Sequence, residues 1–254
     1  MRLRPTAIVL TLAAAGAGTA QAQVVDSSGW VMIMSTITHT DPLSMMLDDR
    51  MAQDAARARR TGRQLPPESA SRQAAPADAA ALRYIPSIAR RSANLATFVQ
   101  KTRAADPAGS ADLQKLFAQG DFIERIGALV APHGLHIDNV ADAYTLWWLT
   151  AWAAVHGNND TPDPAILAAV RRQAASAVAA TGGIASASDA KKQELAEALW
   201  VQSALIDATV EQAKRDPARL RAVGNAVRKG AQGMGLDLDR LDLTPGGFVL
   251  ARGG

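Results

Sequence analysis

The stretch NVADAYTLWWLTAW, residues 139–152, decides how the rest of the chain is read. It holds three of the five tryptophans and one of the two tyrosines, in a chain with only eleven aromatic residues. On a helix from Asp138 to His156, the residues Val140, Ala141, Tyr144, Leu146, Trp147, Trp148, Leu149, Trp152 and Val155 cover almost the whole circumference. A helix that is apolar all round belongs in the middle of a bundle. The neighbouring segments suit that arrangement. AILAAVRRQAASAVAA (165–180) presents small alanines, and 188–215 carries Leu195, Leu199, Trp200, Leu205, Ile206 and Val210 at three- and four-residue spacing. Large rings against alanines fill space, which predicts a core role for the tryptophans. The sharper alternative is an aromatic-lined pocket for an apolar or sugar-like ligand, using Tyr144 with Trp147 or Trp148. Adjacent residues point about 100° apart on a helix, so the two tryptophans cannot face the same neighbour, and one is free to reach a cleft or a partner.

Working outward, the helix boundaries are punctuated. Asp106-Pro107, Asp163-Pro164 and Asp216-Pro217 each precede a periodic apolar segment. Aspartate accepts from the first free backbone N–H groups, and proline at the first helical position loses no bond. Pro86 starts a further helix in the same way. The pattern predicts helices near 87–105, 108–119, 121–133, 138–156, 163–181, 188–215 and 217–232. Gly120, Gly134, Gly157, Gly182 and Gly233 are placed just past helix ends, where a left-handed backbone is wanted. The fold class is therefore all-α: a single helical bundle of six to seven helices over residues 82–254. Strand-like patterning is confined to Trp30–Thr38 and Phe248–Leu250, and these two segments are candidates to pair with each other.

The N-terminal third reads differently. Arg2 and Arg4 precede a short apolar run, Ala7 to Gly18, and AQA (20–22) offers a cleavage site, so residues 1–22 read as a secretory signal. The run is shorter than the ~20 residues that span a bilayer, and no later segment is long and apolar enough to do so. Residues 23–48 form an apolar arm containing Trp30, suited to a buried strand or to docking on a partner. Residues 49–81 lose nearly all large apolar side chains and read as a flexible linker.

Composition removes several activities. The absence of cysteine excludes disulfides, thiol catalysis and cysteine-ligated zinc. The 27 basic residues include Arg2 and Arg4, so a cleaved chain carries 25 against 24 acidic ones, which gives no electrostatic footprint for nucleic acid. ARARR (56–60) is short and lacks interleaved aromatics. There is no Gly-x-Ser-x-Gly elbow, phosphate-cradling loop or dinucleotide fingerprint, and no cofactor is expected.

The remaining site chemistry is thin. His133 and His136 straddle Gly134 and do not share a helix face, so with His156 and Asp160 they read as capping and loop residues rather than a zinc site. Carboxylates leave a cell-wall glycoside hydrolase as the least implausible enzyme, with Glu124 its best candidate and Glu194 and Glu197 on one helix. Glutamates beside Lys191, Lys192 and Arg215 are more simply read as solvated surface. GLHIDNV (134–140) and GLDLDRL (235–241) echo one another and read as a repeated helix stop. A cation site at Asp237, Asp239 and Asp242 lacks the central glycine and distal glutamate of a calcium loop.

Three stretches, GLHIDNVADAYTLWWLTAW (134–152), KKQELAEALWVQSALID (191–207) and GLDLDRLDLTPGGF (235–248), resemble a family of uncharacterised exported proteins of Gram-negative bacteria, a domain of unknown function. The resemblance runs from about Tyr84 to Val249, with the arm and linker outside it. It implies an envelope or extracellular location and transfers no catalytic residue. The expectation is an exported, non-enzymatic helical protein that binds another macromolecule, with an envelope or extracellular protein as partner. Trp30, Tyr144, Trp147 and Trp148 are the candidate contact residues. A small-ligand carrier with an aromatic pocket is the alternative from a different class.

Overall fold

The computed structural model describes residues 79–251 and the single residue Ala52. Seven α-helices follow in order: α1 (Ile88–Ala105), α2 (Pro107–Ala118), α3 (Phe122–Val130), α4 (Val140–Val155), α5 (Pro164–Ala180), α6 (Asp189–Ala213) and α7 (Pro217–Gly233). A hairpin of β1 (Leu241–Thr244) and β2 (Gly247–Leu250) follows them. The all-α bundle expected from the aromatic helix is the architecture found.

All seven helices start under a side-chain cap. Asp106, Asp163 and Asp216 accept from backbone N–H groups of the first turn with proline at the next position. Asp121 and Asn139 accept two N–H groups each, and Ser87 and Ser188 accept one. Each cap stabilises its helix by about 1 kcal/mol. The helix expected over 121–133 ends at Val130 and continues as a 3-10 turn, Ala131–His133. Pro132 explains the break, since it has no N–H to continue the helical ladder.

The echoed motif is a helix stop in both copies. Gly134 and Gly235 adopt left-handed φ values of 76° and 81°, and the N–H groups of Leu135 and Leu236 donate back to the carbonyls of Val130 and Ala231. Both leucines are buried. Gly233, expected past the end of α7, is instead its last residue, and the left-handed turn falls two positions later. Asp237 caps a short 3-10 turn and Asp239 pairs with Arg228 at 2.6 Å.

α4 forms the axis of the bundle, packed by α5, α6 and α7. None of its residues is exposed. Tyr144, Trp147 and Trp148 are at 0% exposure, facing α5 alanines and the α6 residues Ala196, Leu199, Trp200 and Ala204 within one core. Gly224 lets α7 approach the end of α4: a Cβ there would lie 3.1 Å from the Ala154 carbonyl. α1 and α2 pack as a pair, and α1 lies against α6.

The hairpin pairs Leu241 with Leu250 and Leu243 with Phe248 in antiparallel register. The partner of Phe248–Leu250 is thus the neighbouring segment that begins at Leu241, the last residue of the helix-stop motif. Trp30–Thr38, the other candidate partner, lies outside the described residues. Leu241 and Phe248 are buried, and the Trp152 indole donates to the Leu241 carbonyl at 2.9 Å.

Candidate functional site

Tyr144, Trp147 and Trp148 are fully buried in the core and are not among the lining residues of either of two clefts in the surface. Trp30 lies outside the described residues. The α4 tryptophan that reaches a hollow is Trp152, at a site of about 190 Å³ with His133, Asn159, Asp160 and Asp207 in its wall.

The carboxylates are mostly committed to structure. Glu197, 1% exposed, accepts from the Arg91 Nε at 3.0 Å, from Gln193 Nε2 at 2.9 Å and from Asn94 Nδ2 at 2.7 Å. Arg91 also bridges Asp121 at 2.5 Å and Glu124 at 2.9 Å, tying α1 to the start of α3. Burial opposes the Arg91 charge, but hydrogen bonds to Glu124, Asp121 and Glu197 outweigh it and hold the guanidinium protonated above the usual arginine range. Asp142 is buried and forked by Arg171 at 2.5 and 2.9 Å, with the His136 N–H as a further donor. Glu194 pairs at the surface with Lys191 at 2.9 Å. Glu194 and Glu197, one helix turn apart, therefore occupy opposite environments.

The start of the described chain is pinned onto the core. The Tyr84 hydroxyl donates to the Ile137 carbonyl at 2.6 Å, and the Trp200 indole donates to the same oxygen at 3.2 Å. Burial pushes the Tyr84 phenol above its ordinary value, with the Glu197 charge adding to the shift.

The larger cleft, about 440 Å³, lies between α1, the first turns of α6 and the loop at 183–187. Leu95, Phe98, Ile184, Leu195 and Val201 supply its apolar wall. Its basic lining residues are Lys101, Lys191 and Lys192, and its acidic ones are Glu194 and Glu197. Both acids are answered, Glu194 by Lys191 and Glu197 by Arg91. Lys192 is only 7% exposed, and no described carboxylate lies within ion-pair distance of its ammonium. Lys101, at the surface, likewise has no described carboxylate partner.

Sequence reasoning missed Lys192 because it grouped both lysines with the solvated face of α6. A signal was present. Adjacent residues on a helix diverge by about 100°, so Lys191 and Lys192 cannot share one environment. Lys191 is exposed and Lys192 is the one of the two that is buried.

The chain belongs to a family of unknown function, DUF6683, whose model matches residues 2–251. The match takes in the arm and linker, so the likeness is not confined to the helical region as the sequence reading had it. No curated protein and no solved structure matches the chain.

Proposed function

From membership of a family without an assigned activity, we propose that this is an exported, non-enzymatic binding protein whose ligand site is the α1–α6 cleft. One observation carries the reading. The buried carboxylates Glu197 and Asp142 are consumed by arginine partners, whereas the buried Lys192 faces an open cleft with its charge unanswered. A catalytic acid needs a titratable group reaching the reacting atoms, while a binding site needs a few polar groups in an apolar concavity. Glu124, the hydrolase candidate, is a surface group engaged by Arg91. The signal-like residues 1–22 support work in the envelope or outside the cell.

The test is native mass spectrometry of the protein purified from its own host, compared with a variant carrying Ala187→Trp, which fills the cleft mouth. A small molecule retained by the first and absent from the second supports the reading. Clearing of peptidoglycan that is lost with Glu124→Gln would sink it.

A macromolecular partner is the second reading, supported by Ile85 and Ile88, 75% and 77% exposed beside the first cap of the bundle. Both directly follow the segment read as arm and linker, and paired exposed isoleucines suit a protein contact. Capture from envelope extract by residues 23–254 but not by 82–254 would favour an envelope protein held through the arm and Trp30. Equal capture by both would place the contact on the bundle.

A further inference from the structure

The α1–α6 cleft has the chemistry of a site for an amphiphilic anion, and we propose that it takes a single anionic head group with an aliphatic tail. The inference rests on the cleft being the binding site and adds the class of ligand. The head group is assigned to Lys192. Lys192 is more than nine-tenths buried as a residue, and unlike Glu197, which shares the wall and is answered by Arg91, it has no described carboxylate within ion-pair distance. A lysine whose stem is buried in the wall and whose ammonium has no carboxylate partner can hold an anionic head group through a charge-assisted hydrogen bond. Lys101, across the cleft on α1, adds a second positive charge at the rim.

The tail is assigned to the apolar part of the wall. Leu95 and Phe98 lie one turn apart on α1, Leu195 and Val201 line α6, and Ile184 closes the loop side. All five are aliphatic or phenyl surfaces without a hydrogen-bonding group, which suits an aliphatic tail. Tryptophan, the usual stacking surface for sugars, is absent from the wall. The volume of about 440 Å³ falls in the range of roughly 300–1,000 Å³ that small-molecule sites occupy. A cationic amphiphile meets two unanswered lysines there, since both wall acids are already paired.

The experiment is calorimetric titration of the full chain with five probes: decanoate, decyl phosphate, decyltrimethylammonium, decyl maltoside and acetate. Decanoate or decyl phosphate binds, acetate binds at least about tenfold more weakly, and the cation shows no binding. Preference between the two anions tells a free carboxylate from a phosphate head group. Lys192→Met keeps the aliphatic stem, so the melting temperature holds while anion affinity falls about tenfold or more. Equal binding of the cation, or anion affinity unchanged in Lys192→Met, overturns the proposal. Decyl maltoside binding as tightly as the anions, and blocked by Ala187→Trp, removes the anion assignment but leaves the cleft as the site. No binding by any probe removes both. A peptide of residues 30–48 that binds in the cleft and excludes decanoate would make the chain's own arm the occupant and overturn it too.

Discussion

Gln173 and Phe248 hold one another through both ends of a single side-chain amide. Gln173 Nε2 donates to the Phe248 carbonyl at 2.8 Å, and the Phe248 N–H donates to Gln173 Oε1 at 2.9 Å. A glutamine on α5 thus does for β2 what a third strand would do, and clasps the hairpin to the helices. Gly247 makes the approach feasible: its φ is +101°, and a Cβ would lie 2.8 Å from Gln173 Oε1.

Gln173→Leu keeps the volume and leaves a buried N–H and C=O unmet. It is expected to cost about 2–4 kcal/mol in urea denaturation. Gly247→Ala, which meets both the positive φ and the amide oxygen, is expected to destabilise by about 1–3 kcal/mol. Wild-type stability in either variant would mean the hairpin is not part of the cooperative unit.

Arg91 is expected to be among the most sensitive positions in the fold. Arg91→Met strands the Glu197 carboxylate in the interior, and removal of one partner from a buried pair costs about 3–5 kcal/mol. Replacing both, as Arg91→Met with Glu197→Leu, should recover most of that loss, because the stranded charge is gone. A double variant no more stable than the single one would assign the role of Arg91 to its bridges with Asp121 and Glu124.

Tyr84 predicts an alkaline limb. Its phenol is raised above the ordinary value of 10.0 in the folded chain, so the unfolded chain loses that proton first. The contribution is complete below about pH 10 and is lost as pH rises toward the folded value, at about 1.4 kcal/mol per pH unit. Tyr84→Phe has no proton to lose, and its stability should fall less steeply between pH 9 and 11. Parallel curves for the two proteins would place the alkaline sensitivity elsewhere.

Trp147→Ala opens a cavity at the centre of α4 and is expected to cost about 3–5 kcal/mol. Lys192→Met, at the cleft, should leave thermal stability nearly unchanged. The contrast separates the residue that builds the bundle from the residue assigned to the ligand.

The bundle was legible because its signals are local. Asp-Pro pairs mark helix starts within two residues, and the apolar circumference of 140–155 is visible without knowing any neighbour. The hairpin was only half visible: Phe248–Leu250 has strand character, but Leu241–Thr244 is a four-residue stretch at the end of a helix-stop motif and shows its pairing only across the Pro245-Gly246 turn. The cleft was not legible. Glu197 differs from Glu194 in meeting Arg91 on α1, and that contact joins residues about a hundred positions apart. Concentration of tryptophan pointed to the core, where aromatic area stabilises most, and away from the cleft, whose wall contains no tryptophan.

α4 has no exposed residue along its sixteen positions. Its peptide groups therefore meet water only when the helices around it come apart together. In deuterium exchange the amides of Thr145 to Ala151 should form the slowest set in the chain, trading protons at a rate fixed by complete opening. The outer helix α2, with three buried residues, exchanges through small local openings. The aromatic axis is thus also an internal gauge: the lag between these two sets reads the free energy of the whole bundle, without denaturant.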